Sequence, residues 1–168
     1  MTELTYYRSP VGLLSISTDG TAINTLLFTD WKGARADDGS ITITKPASLL
    51  LQDCIQQLDE YFAGQRKDFD LPLKQDGSDF QQQVWYQLTL IPYGKTISYL
   101  ELSKRINNVK AIRAVGTTNG SNSIAIIVPC HRVIGSNGDL TGYGGGLWRK
   151  RWLLEHENKF EHGVQTLF

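Results

Sequence analysis

Cysteine, proline and long apolar runs are all scarce in this chain. Two cysteines among 168 residues, Cys54 and Cys130, cannot build a disulfide framework or a four-thiolate zinc site, and the three histidines do not fall at ligand spacing with them. No structural metal is expected. The longest uninterrupted apolar stretch, Ile124 to Val128, is far short of the roughly 20 residues that span a bilayer, so a membrane span is not expected either. The N-terminus MTELTYYRSP carries Glu3 and lacks the apolar segment of a secretory signal, which points to an intracellular protein, cytoplasmic or, in a eukaryote, nuclear. With 5 prolines, 16 glycines, 40% hydrophobic and 20% charged residues, the composition is that of a globular chain of one medium domain or two small ones.

Net charge is absent too: 17 basic side chains balance 17 acidic ones, which at face value speaks against a nucleic-acid binder. The balance is a cancellation. Residues 1–79 hold 7 basic and 12 acidic side chains, and residues 80–168 hold 10 basic and 5 acidic. An asymmetry of this kind suggests that the second half meets an anionic partner, although scattered surface charge would also produce it.

The first half opens with alternating segments, Leu4 to Arg8, Leu13 to Thr18 and Ala22 to Phe28, separated by Ser9-Pro10-Val11-Gly12 and Asp19-Gly20. That pattern predicts a small antiparallel meander. Ile41 to Thr44 is a further short strand candidate. From Pro46 to Ala63, Leu50, Cys54, Leu58 and Tyr61 recur at helical spacing, so one amphipathic helix should cover the sheet, with Cys54 as a core thiol. Gly64 to Gly77 has no sustained period and reads as a linker. The expected division is an N-terminal α/β domain, residues 1–79 including the linker, and a mainly α domain, residues 80–168.

In the second half Ser78 opens a capping-box pattern before Phe80, Val84, Trp85, Leu88 and Ile91, and Pro92-Tyr93-Gly94 closes that helix. A second capping box, Ser98 to Glu101, starts a short helix that Asn107-Asn108 breaks before Val109 to Thr118 resumes. Two short helices across a polar turn suggest a winged helix-turn-helix-like unit; a plain helix pair packed on the core has the same pattern. The second helix carries Lys110 and Arg113, and its small residues Ala111, Ala114 and Gly116 would allow close approach to DNA. The run Arg149-Lys150-Arg151, with Lys104, adds cations that would displace phosphate counterions.

Ile124 to Val128 reads as a buried strand that Pro129 keeps extended, with Cys130-His131 at its end. A loop with six glycines between Gly135 and Gly146 follows, in neither a dinucleotide nor a P-loop spacing. A thiol reacts as thiolate, and His131 is the obvious base. Neighbours on an extended chain point apart, so a relay through water fits better than direct contact. Leu147 to Asn158 should form a helix with Trp148, Trp152 and Leu153 inward, and one carboxylate of Glu155-His156-Glu157 could orient His131; spacing does not choose which. A thiol hydrolase and a buried, inert Cys130 both stay open on these residues alone.

The string Ile127-Val128-Pro129-Cys130-His131-Arg132-Val133-Ile134 closely resembles the active-site signature of the O6-alkylguanine-DNA alkyltransferases, also called methylated-DNA-protein-cysteine methyltransferases. The likeness extends through Pro92 to Tyr99, Ala111 to Gly116 and Trp152 to Glu157, and so covers essentially all of residues 80–157. It implies a suicide repair protein in which Cys130 takes the alkyl group from O6 of guanine, and from O4 of thymine, without a cofactor. It further implies a relay from Glu157 through His131 and a water to Cys130, with Asn122 bracing the active-site turn. Tyr99 would donate a proton toward N3 of the departing guanine. Arg113 would enter the duplex where the damaged base has rotated out, on a helix in the minor groove with Lys110 and Ala114 beside it. Val133, Tyr143 and the backbone at Gly144 would line the base pocket. The partner implied is double-stranded DNA containing alkylated bases, met by a monomer with no membrane attachment. The first half would be ribonuclease-H-like scaffold. Lesion-binding relatives without transfer lack the active-site cysteine, which this chain has. It departs from the family at Gly144, where many members have Ser or Ala, and at Ser121-Asn122-Ser123, where Arg-Asn-Pro is frequent; the N-terminal metal-binding Cys and His of some relatives are absent.

Overall fold

The computed structural model describes residues 2–163. The chain divides into two compact units between Gln75 and Asp76, where the sequence reading places the division after residue 79.

In the first unit, β1 (Glu3–Ser9), β2 (Gly12–Thr18) and β3 (Ile23–Phe28) form an antiparallel sheet in the order β1-β2-β3. Gly12 takes a φ of 121° at the first turn, a conformation that a side chain would strain. At the second turn the Asp19 carboxylate accepts from the backbone N–H of Thr21 and Ala22, which closes a side-chain-mimicked turn. Helix α1 (Leu49–Phe62) begins where the Ser48 hydroxyl accepts from Leu51 N–H, and the Glu3 carboxylate accepts from the N–H groups of Ala47 and Ser48. Leu51 N–H is an orphan donor of the helix start, and a cap of this kind contributes about 1 kcal/mol, while the Glu3 bonds tie the entry of the helix to β1. Leu14, Ile16, Leu26, Leu51, Leu58 and Tyr61 form the buried core, and Cys54 is buried with them. Burial pushes the Cys54 thiol up to about 12, with Asp53 adding to it, so it stays protonated.

Two expectations fail in this unit. Ile41 to Thr44 is not a strand, and Leu73 of the segment read as linker takes the edge of β3 instead. Ile23 N–H donates to Pro72 O and Lys74 N–H donates to Ile23 O. Gln57 fixes the same segment from α1, its amide donating to Asp70 O and accepting from Asp70 N–H. Alternating β-branched residues supply propensity, but a strand needs a partner edge, and the less periodic segment reached it.

In the second unit α2 (Asp79–Thr89) starts with the reciprocal Ser78/Gln81 capping box. Trp85 of α2 donates its indole N–H to Thr118 O on α4 (Ile112–Gly120). Helix α3 (Tyr99–Arg105) is capped by the Ser98 hydroxyl, which accepts from Glu101 N–H. Asn107, at φ 57°, turns the chain, and a short 3-10 turn at Val109–Ala111 precedes α4. Strands β4 (Ile97–Ser98) and β5 (Val133–Ile134) pair in parallel, with Ile97 beside Val133, the residue that follows the Cys130 turn, and Ser98, the residue before α3, beside Ile134. Helix α5 (Leu147–His162) closes the unit and ends at Gly163, φ 78°. Among the described residues no helix is long and apolar enough to cross a membrane.

Candidate active site

Residues Ile124 to Val128 are buried as expected but do not form a strand. Ile126 has a φ of 71° and Ile127 N–H donates to Ala125 O at 2.7 Å, a tight three-residue turn that a β-branched residue does not adopt unaided. The Asn122 side chain holds it. Its amide donates to Ile124 O at 3.2 Å and Val128 O at 2.8 Å, and its carbonyl accepts from Ile124 N–H at 3.1 Å. A buried apolar segment must still satisfy its backbone, and the Asn122 side chain does so together with local backbone bonds such as Val128 N–H to Ile124 O at 3.1 Å.

Pro129 and Cys130 continue the turning, with Cys130 N–H donating to Val128 O at 2.8 Å, into a single 3-10 turn at Cys130–Arg132. Cys130 is therefore not at the end of a strand. In a 3-10 turn successive side chains still diverge, by about a third of a revolution, so Cys130 and His131 leave the backbone in different directions. Asn119 of α4 donates to Cys130 O at 3.3 Å and ties the turn to that helix.

His131 is fully buried, and its Nε2 lies 2.7 Å from Oε2 of Glu157, itself buried on α5. Arg132 grips the same carboxylate with two hydrogen bonds, Nε to Oε1 at 2.8 Å and Nη2 to Oε2 at 3.1 Å, while its Nη1 donates to Ile91 O. Burial raises the Glu157 pKa, but the charges and hydrogen bonds of His131 and Arg132 outweigh it and hold the carboxylate well below the usual range. For His131 burial is the largest effect and pushes the pKa down; Glu157 opposes it, and the cations Arg132 and Lys150 add to the depression. The imidazole is thus neutral at pH 7. Because ionised Glu157 can only accept, Nε2 carries the proton and Nδ1 the lone pair. Nδ1 is buried with no hydrogen-bond partner among the described residues, as a base awaiting a proton would be.

The glycine-rich loop is held from α5. Lys150, with no exposed surface, donates from Nζ to Val133 O at 2.7 Å, Leu140 O at 2.6 Å and Gly142 O at 3.1 Å. Burial lowers its pKa to about 8, against the opposing pull of Cys130 and Asp139. Arg149 is buried as well and donates to Gly145 O at 3.2 Å while lying over the Trp148 ring. Both basic residues are therefore withdrawn from the phosphate-contacting set that the sequence suggested, because the loop carbonyls compete for their donors. Trp148 is 56% exposed, contrary to the inward placement expected for it. The Tyr143 phenol is pushed up by burial and by Cys130, and Val133 is buried on β5. Gly144, half-buried, lies in the turn before α5.

Tyr99, at the start of α3, meets Thr141 of the loop, hydroxyl to hydroxyl, at 2.8 Å. A Cβ placed on Gly116 of α4 would stand 3.8 Å from the Tyr99 ring, so that helix approaches closely. Arg113 and Ala114 are exposed at the start of α4, and Lys110 is exposed in the 3-10 turn before it. The structure thus groups Cys130, His131, Asn122, Val133 and Glu157 in one buried cluster, with Tyr143 in electrostatic reach of Cys130 and Tyr99 beside the loop. Sequence reasoning missed Arg132, Asn119, Thr141 and the part played by Lys150. Arg132 carried a signal, a cation inside an apolar motif; the others carried none.

A family model described as the 6-O-methylguanine DNA methyltransferase ribonuclease-like domain matches residues 4–75, and one described as the DNA-binding domain of the same proteins matches residues 79–159. A methylated-DNA–protein-cysteine methyltransferase of Mycobacterium tuberculosis is 45% identical over 166 residues, 97% of this chain and 98% of the relative. One from Haemophilus influenzae is 44% identical over 154 residues, 91% of this chain and 84% of the relative. The crystal structure of the Mycobacterium tuberculosis O6-methylguanine methyltransferase superposes with a TM-score of 0.82 at 43% identity, covering 95% of this chain and 94% of the other. A second structure, of the Mycobacterium tuberculosis OGT in complex with DNA, gives 0.82 at 43% identity over 94% and 93%.

Proposed function

Since this chain belongs to the 6-O-methylguanine DNA methyltransferases, we propose that it repairs alkylated DNA by moving the alkyl group from O6 of guanine, or O4 of thymine, irreversibly onto Sγ of its own Cys130. The observation that carries this reading is the buried pair of His131, on the turn that presents Cys130, and Glu157 of α5, with Nδ1 of the imidazole in its basic form and without a hydrogen-bond partner among the described residues.

In the reaction the Cys130 thiol gives its proton, through a bridging water, to Nδ1 of His131. Glu157 stabilises the resulting imidazolium, and Arg132 keeps Glu157 ionised and in place. Sulfur attacks the alkyl carbon as the bond from carbon to O6 breaks, and the departing base takes a proton from Tyr99. The thioether is stable, so each chain acts once and needs no cofactor. Arg113, on the exposed face of α4, would fill the space left by the extruded base, with Lys110 and Ala114 against the minor groove. Tyr143, Val133 and the backbone at Gly144 would receive the base. Minor-groove contacts carry little sequence information, which suits a protein that meets its lesion in any context. The substrate places its work with the chromosomal DNA, in the cytoplasm of a prokaryote or the nucleus of a eukaryote.

The test is a duplex carrying O6-methylguanine labelled in the methyl group. Label should appear on the intact protein in at most equimolar amount and be absent from Cys130→Ser. Label on Cys130→Ser, or repeated turnover, would overturn the reading.

A further inference from the structure

The left-handed backbone of Thr141 is the least expected feature of the loop that faces Tyr99. Thr141 has a φ of 66°, and Gly142 N–H donates to Leu140 O at 3.0 Å across it, a three-residue turn that glycine would adopt more easily. The fold holds this turn from both ends. Leu140 O and Gly142 O, the carbonyls on either side of Thr141, both accept from the buried Lys150 ammonium, at 2.6 and 3.1 Å. Thr141 N–H meanwhile donates to the Asp139 carboxylate at 3.3 Å. The outcome of these constraints is that the Thr141 hydroxyl stands 2.8 Å from the Tyr99 hydroxyl. The same ammonium lies 6.0 Å from the Tyr99 ring centroid.

We propose that Thr141, clamped by Lys150, is a positioning residue for Tyr99, fixing the direction of its phenol and donating a hydrogen bond into the phenol oxygen as that group gives up its proton. The inference rests on the proposed role of Tyr99 as proton donor to the departing base. No extra proton is consumed: Tyr99 passes its own to the base, and the Thr141 hydroxyl keeps its proton while hydrogen-bonding to the oxygen left behind. The β-branched residue in this left-handed backbone brings a hydroxyl that glycine, which would adopt the turn with less strain, does not have.

Three substitutions separate this role from a merely structural one. Thr141→Gly relieves the backbone and removes the hydroxyl, Thr141→Ser keeps the hydroxyl, and Lys150→Met removes the clamp. At saturating lesion duplex, the single-turnover transfer rate of Thr141→Gly should fall about tenfold, as for impaired proton donation, with its duplex Kd nearly unchanged. Thr141→Ser should recover most of the rate. In a Tyr99→Phe background the loss on Thr141→Gly should vanish, since the two hydroxyls act as one unit. An activity-independent arm uses tyrosine labelled at the ring carbon bearing the hydroxyl, with Tyr99 assigned by its loss in Tyr99→Phe. That resonance should shift in Thr141→Gly and Lys150→Met and return in Thr141→Ser. An unshifted resonance, or an undiminished rate loss in the Tyr99→Phe background, would overturn the proposal. Failure of the unmodified protein to take up label would count against the alkyl-transfer reading and leave the resonance test of the Thr141–Tyr99 link standing.

Discussion

Glu157 and His131, 26 residues apart in sequence, meet at 2.7 Å with essentially no exposed surface on either side chain. The pair is not isolated, because Arg132 closes on the same carboxylate from the other side and neutralises its charge. Replacing the carboxylate by an amide would leave Arg132 as a buried cation without its counter-ion. Glu157→Gln should therefore lose about 3–5 kcal/mol of stability, the range for breaking a buried pair from one side. Urea unfolding measures it. A loss under about 1 kcal/mol, the value of an exposed pair, would mean that the network is solvated in solution.

The same network sets a pH dependence. The folded chain resists protonating His131, whose ordinary pKa is 6.5, so below that pH the unfolded chain takes up a proton first and stability falls. Glu157 adds to the fall at lower pH: its depressed pKa contributes stability that is present above the ordinary 4.5 and is lost as pH drops through the folded value. Both effects run in one direction. The acid limb of the single-turnover transfer rate should accordingly lie below pH 6.5, with urea midpoints declining over the same range. A limb centred above pH 6.5 would show that protonated His131 is favoured by the fold.

Much of the architecture was legible because its signals are local. The Ser78 and Ser98 caps, the breaker at Asn107 and the three strands of the meander are each written within a few residues. What was not legible depends on partners distant in sequence. An apolar run such as Ile124 to Val128 announces burial but not conformation, and the turn it forms is decided by the Asn122 side chain. Lys150 reads as surface charge until the carbonyls of Val133, Leu140 and Gly142 converge on it. Glu157 and Glu155 were equivalent by spacing. The family resemblance, not the periodicity, singled out Glu157, and in the fold it meets His131 and Arg132.

Burial of Arg149 and Lys150 changes the expected salt dependence of DNA binding. Lys104, Lys110, Arg113 and Arg151 remain exposed and able to displace counterions. Lys110→Ala should lower the slope of log affinity against log salt by about 1, and Arg149→Met should leave that slope unaltered. Titrations of undamaged duplex over a range of salt concentrations test the pair together. An equal drop for Arg149→Met would place its guanidinium on a phosphate in the complex, at the expense of its bond to Gly145 O.

The Asn122 turn offers the sharpest distinction between shape and hydrogen bonding. Asn122→Asp preserves volume and keeps the acceptor for Ile124 N–H, but it replaces two N–H donors with an oxygen facing Ile124 O and Val128 O. The site is buried, so water does not replace the two lost side-chain bonds, and each costs about 0.5–1.5 kcal/mol. Asn122→Asp should then be less stable than Asn122→Ala, since alanine leaves Ile124 O its bond from Val128 N–H and Val128 O its bond from Cys130 N–H and adds no charge against them. Because the turn delivers Cys130, both variants should also transfer more slowly at temperatures where they remain folded. Denaturant midpoints at pH 7 and at pH 5 separate the causes, as protonation of the introduced carboxyl restores one donor and should narrow the gap between the variants. A pH-independent gap would mean that the turn is held by its apolar packing and not by the Asn122 amide.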